Sequence, residues 1–567
     1  MTTANLLVRA AAGLLVGTLL VLSGIALAEQ SQSEEPWDDH RRSTPRPRNP
    51  ETQRRESRPP ERFNQRYDSR RGGRAPDSRR GPEHIAQTDV PDHLVDVILA
   101  RPTQSGVTLS VLAYADMCGK VLYGTESGQL DRETPLAQFI SGEPVELAIS
   151  SLHPGTKYYY RLHYQTASAS GLVEGSFHTQ RPPGSTFAFT IVADSHLDQN
   201  TSPELYAVTL ENALADRPDF HVDLGDTFMT GKYRGDEPAE LYLAQRYYCG
   251  LLCHSAPLFF VLGNHDGEPG GRGRSRTGAL ALRKKYFPNP EPDMFYTGND
   301  RKEEGAGLLQ DYFAWQWGDA LFVVLDPFWH SGPKRGQKDA NWTRTLGREQ
   351  YLWLRATLKA SRARFKFVFI HHLVGGADSN GRGGIEAAKY FEWGGSGSDG
   401  RYEFNTRRPG WEMPIHQMLV ENNVSVVFHG HDHFFAKQNL DDIVYQLLPQ
   451  PGHGRYGSVR SATEYGYVEG EILAGSGHLR VSVSPQEAVV DFILSVLPED
   501  ERGNQRNAAV AYSYTLTPGV NDKSENAAEE ESSNITTEPA RSVAGRLKAA
   551  TEGCGCDSTV VGPVLAQ

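Results

Sequence analysis

Cysteine is scarce in this chain: five in 567 residues, namely Cys118, Cys249, Cys253, Cys554 and Cys556. The odd number leaves at least one thiol unpaired within a monomer. Cys554-Gly-Cys556 lies in a polar tail, which argues against a packed thiolate metal site there. Cys249 and Cys253 are four apart on a predicted helix and share a face, so they either pair in an oxidising compartment or stay as two buried thiols. Long apolar runs are also few. The single candidate is Ala10 to Ala28, preceded by Arg9 and ending Ala26-Leu27-Ala28, the small-x-small pattern of a signal-peptidase site. Residues 1–28 therefore read as a signal peptide, with an uncleaved amino-terminal membrane anchor as the alternative, and the chain is expected to be exported: secreted, periplasmic or cell-surface. Aliphatic residues almost vanish from 29–92, a Pro-, Arg-, Ser- and Glu-rich arm that cannot bury enough apolar area to offset its chain entropy. Its arginines, clustered from Arg41 to Arg80 on a chain of net charge −12, read first as a solvated spacer, with contact to an anionic surface as the alternative. Stacking aromatics are few in it, so no specific nucleic-acid partner is predicted.

What is present divides in two. From about 93 to 183 the period is two: Val95–Leu99, Val107–Ala113, Val121–Tyr123, Val145–Ile149 and Tyr158–Tyr164 alternate or run apolar between turn residues, which indicates an all-β sandwich. Arg181-Pro182-Pro183-Gly184 follows as a short, stiff linker. From 186 to 498 strands alternate with helices. Strands are expected at Phe187–Ala193, Phe220–Leu224, Leu258–Leu262, Ala320–Leu325, Phe365–Ile370 and Val424–Phe428. Helices are expected at about Pro203–Ala215, Pro238–Cys253, Gly278–Tyr286, Arg348–Ser361 and Pro414–Asn422, with late strands near 472–473, 479–483 and 489–496. This is an α/β core with some antiparallel closure. Beyond 499 the chain turns polar and acidic and reads as a mostly disordered tail to 567.

Five of the core strands end in the same kind of residue. Asp194-Ser195-His196 follows the first, Gly225-Asp226 the second, Gly263-Asn264-His265-Asp266 the third, His371-His372 the fifth and Gly430-His431-Asp432-His433 the sixth. Ligands of open α/β sheets sit at the carboxyl ends of the strands. Asp194/His196 and His431/His433 are spaced i,i+2, which places both side chains of an extended segment on one face. Carboxylates, imidazoles and an amide oxygen suit divalent transition metals. Asp194, His196, Asp226, Asn264, His371, His431 and His433 are more than one ion needs, and Asp226 is placed to bridge two. Two long Gly-rich loops, about 267–278 and 375–409, follow strand ends that carry these residues.

The series Asp-x-His, Gly-Asp, Gly-Asn-His-Asp, His and Gly-His-x-His resembles the calcineurin-like metallophosphoesterase superfamily. The sandwich, with its turn at Leu152-His153-Pro154-Gly155 before a Tyr-rich strand, resembles a fibronectin type III-like domain and the amino-terminal domain of purple acid phosphatases. The resemblance implies a fibronectin III-like sandwich followed by an αββα-type metallophosphoesterase domain. It implies two divalent ions per chain (Zn, Mn or Fe): Asp194, His196, Asp226 and His433 around one, and Asp226, Asn264, His371 and His431 around the other. His265 would face the leaving group as an acid oriented by Asp266, and His372 would lie outside the ligand shell. Two ions about 3.5–4 Å apart clamp the attacking and leaving oxygens of an in-line displacement, with a bridging hydroxide as nucleophile. Arg382, Arg401, Arg407 and Arg408 are candidate contacts for phosphoryl oxygens, and residues 392–411, with Tyr390 and Tyr402, are a candidate wall for an organic leaving group.

The chain departs from the purple acid phosphatases at two positions. His196 stands where they have Gly, and Met229 where they have Tyr, so no tyrosinate-ligated ferric site is expected. The expected function is an exported dinuclear hydrolase of small-molecule phosphoric esters, monoesters first. The alternatives are a phosphodiesterase or nucleotidase, or a non-catalytic envelope-binding protein with a structural metal site.

Overall fold

A computed structural model describes residues 86–232, 239–268, 275–332, 340–456 and 459–518. The expected signal peptide, the arm up to residue 85 and the Cys554/Cys556 pair lie outside the described residues. No described helix is long and apolar enough to cross a membrane.

Met117–Gly124, Lys157–Thr166 and Ser170–His178 belong to a sheet of the amino-terminal part, and the apolar runs of the α/β part lie in two further sheets packed face to face. One has the strand order Val510–Leu516, Ala488–Leu494, Gly477–Val483, Phe187–Val192, Phe220–Asp223, Leu258–Phe260, Val95–Ala100, Val107–Ala113, Val145–Ile149. The other runs Thr297–Gly298, Phe313–Trp317, Ala320–Val324, Phe365–Phe369, Val426–His429, Ile443–Leu447, Phe435–Leu440, Glu471–Leu473. The strands that end in the polar clusters run parallel to one another within each sheet. Both faces of these strands are covered, which is why they read as unbroken apolar runs. Phe259 and Val261 point into the layer between the sheets, while Leu258, Phe260 and Leu262 point outward onto helices. The inner layer is largely aromatic: Phe189 and Phe220 meet Phe322 of the opposite sheet at 5.2 and 5.1 Å between ring centres, and Phe259 stacks on Trp315 at 3.9 Å. Pro203–Ala215 and Ala239–Cys253 cover one outer face; Arg348–Ala360 and Ile415–Glu421 cover the other. The result is the expected αββα stack.

Local signals account for the helix limits. Ser202 accepts from the Leu205 N–H with Pro203 at the first turn, and Ser275 accepts from the Gly278 N–H. Arg283, Lys284 and Lys285 fall in the last turn of Arg276–Tyr286, where cations face the negative end of the helix dipole.

The amino-terminal strands enclose a core of their own, including Val97, Leu109, Val121, Tyr160 and Phe177. They are nevertheless fused to the α/β part. Ala100 pairs in parallel with Leu258, so Val95–Ala100 prolongs the first sheet. The buried Arg246 guanidinium donates to Ser110 Oγ (3.0 Å), Ser110 O (2.7 Å) and Tyr286 O across the seam. The Arg181 linker is docked as well, its guanidinium gripping Asp219 at 2.7 and 3.0 Å.

Two boundaries move. Residues 86–92, read as the end of the arm, lie against the α/β part: Gln87 N–H donates to Leu197 O and Val90 packs on the helix layer. Val510–Leu516, inside the stretch read as tail, is the last strand of the first sheet, paired with Ala488–Leu494. Its alternating Tyr512, Tyr514 and Leu516 pack on the inter-sheet core, a short period-two signal hidden by the acidic residues that follow. Cys249 and Cys253 are free thiols, both buried, and burial pushes both above the ordinary thiol range; Cys118 is also free.

Candidate metal centre

Tight glycine turns bring the strand ends together. Gly225 has φ +87°, and a Cβ there would meet Gly263 N at 2.4 Å; a Cβ on Gly263 would lie 2.0 Å from Asp226 N. The Gly-Asp and Gly-Asn-His-Asp turns therefore sit back to back at a distance no side chain fits. A Cβ on Gly430 would meet Asp194 Oδ2 at 2.7 Å, so that glycine lets the Asp194 carboxylate accept from the His431 N–H (2.7 Å). Asp194, Asp226, His431 and His433 themselves hold left-handed backbone conformations, with φ of 58°, 57°, 80° and 67°. Four strained non-glycine residues in one site mark a place where geometry outranks local comfort.

The side chains converge in two groups. Asp194, His196 and His433 form one; Asp226, His371 and His431 form the other; in each, the potential ligand atoms all lie within 4.8 Å of one another. The groups adjoin: His371 Nε2 is 3.3 Å from Asp226 Oδ2 and 4.0 Å from Asp194 Oδ1, and His433 Nε2 is 3.3 Å from Asp194 Oδ1. His196 Nε2 lies 3.4 Å from His433 Nε2. Burial alone would push Asp194 up, yet His433 and His371 hold it below its ordinary value; Asp226 is held well below by His371 and His265 against the same burial. Burial lowers His371, but Asp226 and Asp194 outweigh it and raise the ring to about 10.

These residues fit divalent cations. Asp194 Oδ1, Asn264 Oδ1 and His371 Nε2 are buried and have no hydrogen-bond partner. Buried polar atoms are otherwise almost always satisfied. Their donor set is oxygen and imidazole nitrogen without thiolate, the set suited to Zn, Mn or Fe. The histidines are also held from behind, as metal-binding imidazoles are: His371 Nδ1 lies 2.8 Å from Leu224 O, and His431 Nε2 lies 3.2 Å from Asn380 O.

Asp266 does not orient His265. Its carboxylate accepts from the backbone N–H groups of Asp226, Thr227, Phe228 and Gly263, at 2.8–2.9 Å. It is the clamp of the Asp226 turn, and burial pushes it up to about 7 despite those bonds. His265 is held by its own backbone: its N–H donates to Asp226 Oδ1 (2.7 Å) and its carbonyl accepts from Gly231 (2.9 Å). Burial pushes its imidazole down to about 4, with Asp226 opposing. The ring of His372 lies 5.2 Å from that of His431 and 5.1 Å from Phe328, beside the ligands.

The four arginines separate. Arg382 stands over Tyr465 with its Nε 3.7 Å from Asp432 Oδ1, in the middle of the His431-Asp432-His433 turn. The others are committed elsewhere. Arg401 is largely exposed beside Asp399, Arg407 pairs with Glu403 in its own helical turn, and Arg408 is gripped by Glu392 while donating to Trp342 O and Arg344 O. Trp393 and Glu392 are fully buried and brace the long loop from inside; Trp411, half-buried, stacks on Tyr351 at 4.1 Å, Tyr390 is half-buried and Tyr402 is exposed. Spacing in sequence does not tell a loop's interior from its rim. Met229, in the Tyr position, is buried against Leu241 and Ala86.

Sequence reasoning missed three residues. Asp198 Oδ2 lies 3.2 Å from His196 Nδ1. The Asp-x-His-x-Asp alternation was its signal. Asp223, buried and raised to about 6 by that burial, accepts from Ser195 Oγ, Thr227 Oγ1 and Gly225 N–H and supports the floor. Lys232 acts electrostatically on Asp198, His265 and His433. It follows a turn, and nothing in its local sequence sets it apart.

A family model described as calcineurin-like phosphoesterase matches residues 187–435, a span that holds both groups. The solved structure of PhoD matches with a TM-score of 0.54 at 15% identity, over 75% of this chain and 90% of that one. Purple acid phosphatase PPD1 from yellow lupin (Lupinus luteus) seeds matches with a TM-score of 0.50 at 14% identity, over 75% and 74%. At such identities the likeness speaks for the fold. No curated protein gives a significant sequence match.

Proposed function

We propose a substrate class and a chemistry from one premise: residues 187–435 form a calcineurin-like phosphoesterase domain, and the chain is a metal-dependent phosphoric ester hydrolase. Our reading is an exported phosphatase with two divalent ions that cleaves small organic phosphomonoesters by in-line displacement. One observation carries it: the two adjoining groups, Asp194/His196/His433 and Asp226/His371/His431, with Asn264 Oδ1 buried and unpartnered on the turn that packs on Asp226. A structural site would use one closed set of four ligands.

In this reading Asp194, His196, Asp226 and His433 hold one ion, and Asp226, Asn264, His371 and His431 the other. When bound, the ions supply Lewis-acid polarisation of the phosphoryl group and acidify water near neutral pH. The chain's own residues do the rest. Arg382 and Lys232 neutralise phosphoryl oxygens. His265, its imidazole pushed down to about 4 by burial and so neutral at neutral pH, serves the leaving oxygen as an N–H donor. Export rests on the Ala10–Ala28 run and its Ala-Leu-Ala end. The arginines between 41 and 80 are read first as a solvated spacer, with an anionic-surface contact as the alternative, and the sandwich as a rigid support for the first catalytic sheet.

The deciding experiment measures metal content of the full chain beside hydrolysis of an aryl phosphate monoester and a bis-aryl diester. About two transition ions per chain with monoester preference supports the reading. Diester preference moves the chain to the phosphodiesterases. No metal and no turnover after adding Mn, Zn and Fe promotes the non-catalytic alternative. The first residue of the exported protein, read by amino-terminal sequencing, tests cleavage after Ala28.

A further inference from the structure

His371 and His431 are backed by main-chain carbonyls, but His196 is backed by a carboxylate. Asp198 Oδ2 lies 3.2 Å from His196 Nδ1, an ion-pair contact outside hydrogen-bond geometry, and both atoms' residues are buried. The two carboxylate oxygens divide their work: Oδ1 accepts from the Asn200 N–H at 2.8 Å and holds the loop, which leaves Oδ2 for the imidazole. The loop is also tied at its far end, where Thr201 Oγ1 donates to His196 O at 2.5 Å.

A second segment grips the same loop from outside. Ala86 forms an antiparallel bridge with Asp198, Gln87 N–H donates to Leu197 O (2.9 Å), and the Gln87 amide donates to Asp198 O (2.5 Å) and Thr201 O (2.6 Å). Ala86 then packs against Met229 and Leu241. One short piece of chain, about 110 residues before the loop by sequence (111 from Gln87 to Asp198), therefore adds a strand-like partner to the stretch that carries His196.

The geometry points to Asp198 as the positioning residue of the first metal group, with the Ala86-Gln87 strap fixing the loop that delivers it. Asp198 holds the His196 ring so that Nε2 faces His433 and the Asp194 carboxylate. The strap makes this arrangement depend on residues that precede the sandwich. This rests on the dinuclear reading above and deepens it.

The test titrates Co²⁺ into metal-free full-length protein by calorimetry, with the visible Co²⁺ spectrum as a second readout, for wild type, Asp198→Ala, Asp198→Asn and Gln87→Ala. Wild type is expected to bind two ions. Asp198→Ala should weaken one binding event by about 10–100-fold and leave the other, with a changed spectrum for the weakened ion. Asp198→Asn keeps the Asn200 contact, so a loss there reads on His196 alone; it decides the matter if Asp198→Ala does not fold. Gln87→Ala should weaken the same event by a smaller factor. If both Asp198 variants bind both ions within about twofold of wild type, the positioning role is overturned. If only Gln87→Ala is silent, the strap is overturned and Asp198 stands. If wild type binds no ion, the dinuclear reading itself falls and takes this one with it.

Discussion

Asp226 shows how much one residue carries here. One oxygen fixes the His265 backbone at 2.7 Å, and the other faces His371 at 3.3 Å. Asp226→Asn keeps an acceptor for the His265 N–H but removes the charge that the proposed dinuclear reading places between the two groups. The variant should fold as wild type by circular dichroism and lose turnover by about 10³-fold or more in kcat; retained activity would mean the second ion is dispensable. Lys232 is a different case, because it acts on His265 and His433 as a cation and is not among the ligands. If it binds the substrate's phosphoryl oxygens as ground-state charge, Lys232→Ala should raise KM by about 10-fold and lower kcat less. A change confined to kcat would instead place it at the leaving oxygen.

Among elements, the helix Arg276–Tyr286 illustrates what stands behind the site. Arg283 and Glu268 form an ion pair at 2.5 Å with both side chains essentially inaccessible, and Arg283 also donates to Leu309 O (2.6 Å) and Gln310 O (3.2 Å). Burial pushes Glu268 up, and Arg283 pulls against it. Glu268 is two residues past Asp266, the clamp of the Asp226 turn, so this pair ties the helix to the catalytic edge. Arg283→Met would leave a buried carboxylate without its partner and should cost about 3–5 kcal/mol in urea unfolding. Adding Glu268→Gln should return part of that loss; a single variant as stable as wild type would show that the pair has no net weight. The same helix could be placed from sequence because Ser275 and the terminal cations flank it. Its buried ion pair could not, since charged residues on a helix face ordinarily meet water.

At the scale of the whole molecule, folding buries histidines that titrate in water near neutrality. His221, between the first catalytic sheet's strands and bonded to Thr190 Oγ1 at 2.9 Å, is pushed down to about 3 by burial, and His178 to about 4. Above pH 6.5 both states are neutral and nothing is gained or lost. Below it the unfolded chain takes up protons that the folded chain refuses, so stability falls as pH drops from about 6.5 toward 4. Thermal unfolding of metal-free protein across that range should show the fall, and His221→Asn should flatten it; an equal slope in the variant would assign the acid sensitivity elsewhere. The parallel strands, their helices and the seven metal-type residues at the strand ends were legible in the sequence, because each rests on short-range pattern: apolar runs, turn glycines and i,i+2 spacing. The fusion of Val95–Ala100 with Leu258–Phe260, the strand at Val510–Leu516, the Asp266 clamp, the Asp198 contact and the sorting of Arg382 from Arg401, Arg407 and Arg408 were decided only by the tertiary structure. Those depend on which groups meet across a hundred or more residues or on which side of a loop faces inward, and neither leaves a period in the chain. Local chemistry named the candidate ligands; long-range packing chose what holds them in place.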